Sequence, residues 1–149
     1  MALASGQLAP AFYGIDQHGK THTLEKYAGN WLLLYFYPKD GTPGCTTEAC
    51  SFRDSYEELA DHVSILGVSK DSEESHQQFA EKYHLPFPLL ADTSGAISET
   101  YGAGGILFPK RVSFLIDPRG QIAKIYPKVD VKKHTQEILA DLENLYKKK

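Results

Sequence analysis

Residues 31–37, Trp-Leu-Leu-Leu-Tyr-Phe-Tyr, constrain this chain more than any other stretch. The run is apolar or aromatic throughout and far shorter than the roughly 20 residues of a membrane span. With no polar face to offer water, it suits a strand covered on both sides, at the centre of a sheet with helices above and below. Pro38 ends it, because proline has no N–H for a ladder. Residues 39–44 then form a loop that contains Gly41, Pro43 and Gly44.

The rest of the chain arranges itself around that strand. Residues 11–15 read as a short strand closed by the turn at 16–19, and 23–27 as a helical turn. A helix is expected from Cys45 or Thr46 to about Asp61, with Phe52, Tyr56 and Leu59 on one face. Residues 63–68 read as a strand. Asp71-Ser72-Glu73-Glu74 starts a helix that packs through Phe79, Ala80 and Tyr83. Leu89-Leu90 is a short extended piece after Pro86 and Pro88, and 94–101 a short helix. Residues 112–116 and 121–126 form a hairpin across Asp117-Pro118-Arg119-Gly120. Ile138, Leu142 and Leu145 recur at helical spacing within 131–146. A β-α-β-α order, then a hairpin, then a helix predicts one α/β domain over 1–149, a mixed central sheet flanked by helices. A thioredoxin-like fold is built this way, and spacing alone leaves other α/β sandwiches open.

Charge and termini narrow the function. The formal net charge of -3 argues against a nucleic-acid binder, which needs a basic stripe. No membrane span is expected, and the basic end Lys147-Lys148-Lys149 reads as a solvated terminus. Residues 1–12 lack a basic start and a long apolar run, so a cytoplasmic protein is expected, with a removed organellar transit peptide left open.

The two cysteines, Cys45 and Cys50, are too few for a disulfide scaffold, and such a pair points to catalysis or metal. Structural zinc needs four ligands at short spacings. The six histidines (His18, His22, His62, His76, His84, His134) are scattered and read as surface residues, so no zinc site is expected. Cys45 stands where a Gly/Pro loop opens a helix. The first N–H groups of a helix lack internal partners and its dipole favours an anion, so the thiolate, which is the nucleophile, is at home there. The alternative is a buried inert cysteine. Cys50 follows by five residues. In a regular helix the two Cα atoms would be roughly 8–9 Å apart, beyond the roughly 4.4–6.8 Å of a disulfide. The pair is a poor staple and a reasonable redox switch, closed only after the first turn unwinds; a Cys50 that merely faces the core is the alternative.

Pro38-Lys39-Asp40-Gly41-Thr42-Pro43-Gly44-Cys45 resembles the active-site loop of the peroxiredoxins: Pro, three residues, Thr or Ser, two residues, Cys. The wider stretch from Tyr35-Phe36-Tyr37 through Cys45-Thr46-Thr47-Glu48-Ala49-Cys50 to Phe52-Arg53-Asp54 is similar to the bacterioferritin-comigratory or Q-type branch. That branch often carries its resolving cysteine five residues after the first. Pro10-Ala11-Phe12, Tyr101-Gly102 and the run from Arg111 to Asp117 extend the likeness. The segment 103–109 is shorter than in many relatives, where a Trp and a Lys-rich stretch are common. The resemblance implies a thioredoxin-like fold and a peroxidase that reduces hydrogen peroxide and organic hydroperoxides with no metal, flavin or haem. Cys45 would be peroxidatic and Cys50 resolving, with Pro38, Thr42 and Arg111 completing the site, and thioredoxin or a similar dithiol protein as reductant. A monomer is implied, because a resolving cysteine in the same helix needs no partner chain. Arg53 and Lys110 read as solvated charges.

Two rivals share these residues. A disulfide oxidoreductase would ordinarily show C-x-x-C, whereas this pair is C-x4-C. A redox-sensing or chaperone-like binding module would use the same switch to recruit partners. Turnover separates it from a peroxidase.

Overall fold

The computed structural model describes residues 3–105 and 108–147. Ile106 and Leu107 of the 103–109 segment, and the terminal Lys148 and Lys149, lie outside the described residues. Among the described residues thirteen elements follow one another. A small hairpin, β1 (Tyr13–Ile15) and β2 (Thr21–Thr23), leads through a 3-10 turn (Glu25–Tyr27) to β3 (Leu32–Phe36). Helices α1 (Pro43–Asp54) and α2 (Tyr56–Ala60), strand β4 (Ser64–Ser69), helix α3 (Glu73–Tyr83), strand β5 (Leu89–Ala91) and helix α4 (Ala96–Thr100) come next. The chain closes with β6 (Val112–Ile116), β7 (Ile122–Tyr126) and α5 (His134–Lys147).

The main sheet has the order β5-β4-β3-β6-β7. β3 sits at its centre, parallel to β4 and antiparallel to β6, with Phe36 level with Val68 on one side and Val112 on the other. The apolar run thus takes the expected place, and every residue of β3 is buried. Period-two alternation divides it between two cores. Leu33 and Tyr35 meet Phe52, Leu59, Phe79, Phe87, Ile138 and Leu142 on the face carrying α1, α3 and α5. Leu32, Leu34 and Phe36 meet Leu66, Phe114, Tyr101 and Phe12 on the other. Each leucine fully withdrawn from water contributes roughly 1.5–3 kcal/mol.

Several boundaries differ from the sequence reading, each for a local reason. The helix expected over 45–61 begins earlier and breaks in two. Thr42 has an extended backbone (φ -74°, ψ 152°), and Pro43 takes the first helical position, where its missing N–H costs nothing. Ser55 leaves helical geometry at φ -109°, ψ 16°, ending α1 before α2 starts. Thr23 belongs to β2, which pairs with β1 in antiparallel register; three-residue strands carry too little pattern to be read singly. Three histidines are not surface residues: His22, His76 and His134 are buried. Arg53 is not merely solvated either, since it donates to the carbonyl of Tyr83 at 2.7 Å and so ties α1 to the last turn of α3.

Candidate active site

The loop 39–44 leaves the C-terminal end of β3, where ligands gather in open α/β sheets. It delivers Cys45 to the third position of α1. The first helical bond runs from the N–H of Thr46 to the carbonyl of Thr42 at 2.9 Å, so the N–H groups of Gly44 and Cys45 precede the helical ladder. Cys45 is 1% exposed, and both cysteines are free thiols.

Arg111 reaches the same point from the opposite direction in sequence. It stands just ahead of β6, and because β6 runs antiparallel to β3 its start lies beside the end of β3. Its Nη2 donates to Cys45 Sγ at 3.2 Å and its Nη1 to Glu48 Oε1 at 2.8 Å. Gly44 leaves room for the approach. A Cβ there would stand 3.0 Å from Nη2, so a side chain would make the guanidinium give by a few tenths of an ångström. Burial works against the charge on Arg111, but Glu48 and Cys45 outweigh it and hold its pKa above the ordinary value.

Glu48 is the functional candidate that residue types alone did not single out. It is 1% exposed, one turn after Cys45. Burial pushes its carboxyl up to about 7, against the opposing pull of the Arg111 guanidinium. Its Oε2 has no hydrogen-bond partner among the described residues, and neither do Thr46 Oγ1 and Tyr35 Oη. Tyr35 stays protonated: burial, then the charges of Glu48 and Cys45, hold its hydroxyl well above the ordinary range. The arrangement is a cation shared between a sulfur and a carboxylate, in surroundings that leave polar capacity unspent.

Of the other expected residues, Thr42 lies in the loop with its hydroxyl donated to the carbonyl of Lys39 at 2.9 Å. That leaves its oxygen free to accept. Pro38 is half-buried where β3 gives way to the loop. Cys50 is half-buried on α1, about 140° round the helix from Cys45 by helical geometry. The structure therefore brings Cys45, Arg111 and Glu48 into contact, keeps Thr42 at the N-cap, and leaves Cys50 on the same helix without contact to Cys45. Lys110 is exposed. A hollow of about 200 Å³ lined by Leu24, Tyr27, Leu32, Ile116 and Pro118 lies at the other end of β3 and β6, away from these groups.

A family model described as the AhpC/TSA family matches residues 5–125. The chain is a member of that family. Peroxiredoxin Bcp of Bacillus subtilis is 43% identical over 99% of this chain and 100% of its own length. Chloroplastic peroxiredoxin Q of Populus jackii is 42% identical over 94% of this chain and 68% of its own. Among solved structures, a cysteine-to-serine mutant of Xylella fastidiosa PrxQ superposes with a TM-score of 0.93 at 29% identity, covering 98% of this chain and 99% of the other. The bacterioferritin comigratory protein of Xanthomonas campestris, studied for alkyl peroxide reduction, superposes at 0.85 with 36% identity, covering 89% and 90%. This peroxiredoxin thus has the thioredoxin-like fold and belongs with the Bcp/PrxQ relatives. It is a thiol peroxidase, an oxidoreductase. Among the described residues no helix is long and apolar enough to cross a membrane.

Proposed function

We propose that Cys45 is the peroxidatic nucleophile and Cys50 the resolving thiol of a peroxidase acting on hydrogen peroxide and organic hydroperoxides. The observation that carries this reading is the 3.2 Å contact from Arg111 Nη2 to Cys45 Sγ, a fixed cation on the sulfur of a helix N-terminus. The thiolate attacks the terminal oxygen of R–O–OH, the O–O bond breaks, and Cys45 becomes a sulfenic acid. The departing alkoxide or hydroxide takes up a proton and leaves as alcohol or water. Arg111 and the N–H groups opening α1 stabilise charge on the leaving oxygen. Thr42 Oγ1, its own hydrogen committed to Lys39, accepts from the peroxide O–H. Pro38 shapes the near wall. A sulfur this buried favours a slender substrate.

Resolution follows on the same helix. The first turn of α1 unwinds, the Cys50 thiolate attacks the sulfenic sulfur, water leaves, and a Cys45–Cys50 disulfide forms. Thioredoxin or a similar dithiol protein supplies the two electrons that reopen it. In this reading residues 1–149 work as one domain and as a monomer, since both thiols come from one chain, and the protein is cytoplasmic.

Peroxide consumption with a thioredoxin system, followed for wild type, Cys45→Ser and Cys50→Ser, tests the roles. Wild type is expected to turn over many times, Cys45→Ser not at all, and Cys50→Ser once before stalling as the sulfenic acid. Oxidation of wild type no faster than a free thiol, or full turnover by Cys45→Ser, would overturn the assignment.

A further inference from the structure

The reaction as proposed makes two demands on the loop ahead of Cys45. It must be rigid while the sulfur attacks, yet the turn after it must unwind for Cys50. A second buried polar group, which the reaction does not use, sits on that loop. Its centre is Asp40, whose side chain is 6% exposed. Tyr37 Oη donates to Asp40 Oδ1 at 2.6 Å, Ser75 Oγ donates to Oδ2 at 2.9 Å, and His76 Nδ1 meets Oδ2 at 2.7 Å. The backbone N–H of Asp40 donates to Asp71 Oδ2 at 2.9 Å, and Ser69 Oγ donates to that same oxygen at 2.6 Å. His76 Nε2 faces the carbonyl of Leu90 at 2.9 Å. A carbonyl has no hydrogen to give, so Nε2 donates, and the short contact on the other side of the ring also requires a proton between nitrogen and carboxylate. Tyr37 remains a donor, because burial and then the charge of Asp40 hold its hydroxyl well above the ordinary range.

These bonds fasten one loop residue to β4, α3 and β5 at once. They stop there. The next residue, Gly41, is exposed with φ 79°, a left-handed conformation that glycine adopts without cost, and it is the one pivot of that kind between Asp40 and Cys45. Asp40, Asp71 and His76 also bring ligand-type atoms within 4.8 Å of one another. Protein donors and acceptors already occupy those atoms, which makes the group a frame.

We propose that Asp40, held by Tyr37, Ser75 and His76, is a positioning residue that pins the loop for peroxide attack and confines the later unwinding to residues beyond Gly41. The inference rests on the Cys45–Cys50 cycle above. Before oxidation the pin fixes the approach of Thr42 and Cys45 to Arg111. After oxidation Pro38 to Asp40 stay with the sheet, and the segment from Gly41 swings Cys45 toward Cys50. Loosening the pin therefore acts oppositely on the two steps. Attack loses its alignment, while unwinding gains freedom.

The test uses Asp40→Asn and the milder Ser75→Ala. The rate constant for oxidation of Cys45 by hydrogen peroxide is measured in a Cys50→Ser background, and that for disulfide formation with Cys50 present. Thiol titration and thermal melts normalise both to folded protein. Asp40→Asn is expected to slow attack on the order of 10–100-fold, as a misplacement of about 1 Å does, with disulfide formation at least as fast as in wild type. Ser75→Ala moves both constants the same way by less. An unchanged attack constant in Asp40→Asn, or both steps slowing together, overturns the pin. If wild type forms no Cys45–Cys50 disulfide by mass spectrometry, the cycle falls, and the attack constants in the Cys50→Ser background still decide the role of Asp40.

Discussion

Two buried polar clusters flank the loop between β3 and α1, and they differ in how completely they are satisfied. Both carboxylate oxygens of Asp40 have partners, and both ring nitrogens of His76 are engaged. Around Cys45, Glu48 Oε2, Thr46 Oγ1 and Tyr35 Oη are buried with no partner among the described residues. A buried polar group without a partner costs about 1–3 kcal/mol, so the difference is a difference in stored cost. The satisfied cluster behaves as framework. The unsatisfied one keeps donors and acceptors in reserve beside the Cys45 sulfur, as functional sites do at the expense of stability.

The comparison breaks or sharpens under substitution, and Arg111 gives the largest effect. Arg111→Met is expected, per folded molecule, to slow peroxide attack roughly 10²–10³-fold, the usual loss for a donor aimed at developing charge. Stopped-flow oxidation of the reduced protein measures it, and a loss under threefold would place the charge elsewhere. Glu48→Gln comes next, read as stability against pH. The folded-state carboxyl, raised from 4.5 to about 7 by burial, binds its proton more tightly than the unfolded chain does. Its contribution is therefore full below about pH 4.5 and is lost as pH rises through 7, a loss of about 3 kcal/mol at 1.36 kcal/mol per unit. Urea melts of wild type should show that decline relative to Glu48→Gln between pH 4.5 and 8. A constant gap between the two proteins across that window would sink the assignment. The smallest effect separates the two tyrosines. Tyr37→Phe removes a bond to Asp40 and should cost about 1 kcal/mol or somewhat more. Tyr35→Phe removes an unpartnered buried hydroxyl and should stabilise the fold by about 1 kcal/mol. Equal losses in denaturant melts would mean that the two clusters are equally satisfied.

The parts of the site legible in the sequence were those carried by short contiguous patterns. The apolar run at 31–37, the Gly/Pro loop and the cysteine at its end mark β3, the turn and the start of α1 without help from distant residues. Arg111 is legible only through family resemblance, since nothing local says that a residue before β6 will meet Cys45. Glu48 and His76 are not legible for a different reason: residue type alone places charged or ionisable side chains at the surface, since they are rarely buried. Helical spacing held the missing signal. Glu48, Ala49 and Phe52 stand three, four and seven residues after Cys45 and form the buried face of α1 with it. His76, Phe79 and Ala80 do the same on α3. Given an apolar stripe, a polar residue in register with it is buried and must be paired. The β1–β2 hairpin was only half legible, because its second strand, Thr-His-Thr, has no apolar residue to announce it.

The antiparallel placement of β6 beside β3 has a consequence for how the molecule comes into being. Cys45 and Arg111 are 66 residues apart in the chain, and they meet only once the last strands have docked on the central one. Closing so long a loop is among the later and slower events of folding. A chain emerging from the ribosome exposes Cys45 well before Arg111 has been synthesised. Until the C-terminal hairpin arrives, that thiol has no guanidinium beside it. If Cys45 is the nucleophile proposed above, its pairing with Arg111 is thereby conditional on completed assembly, and a half-made or truncated chain lacks it.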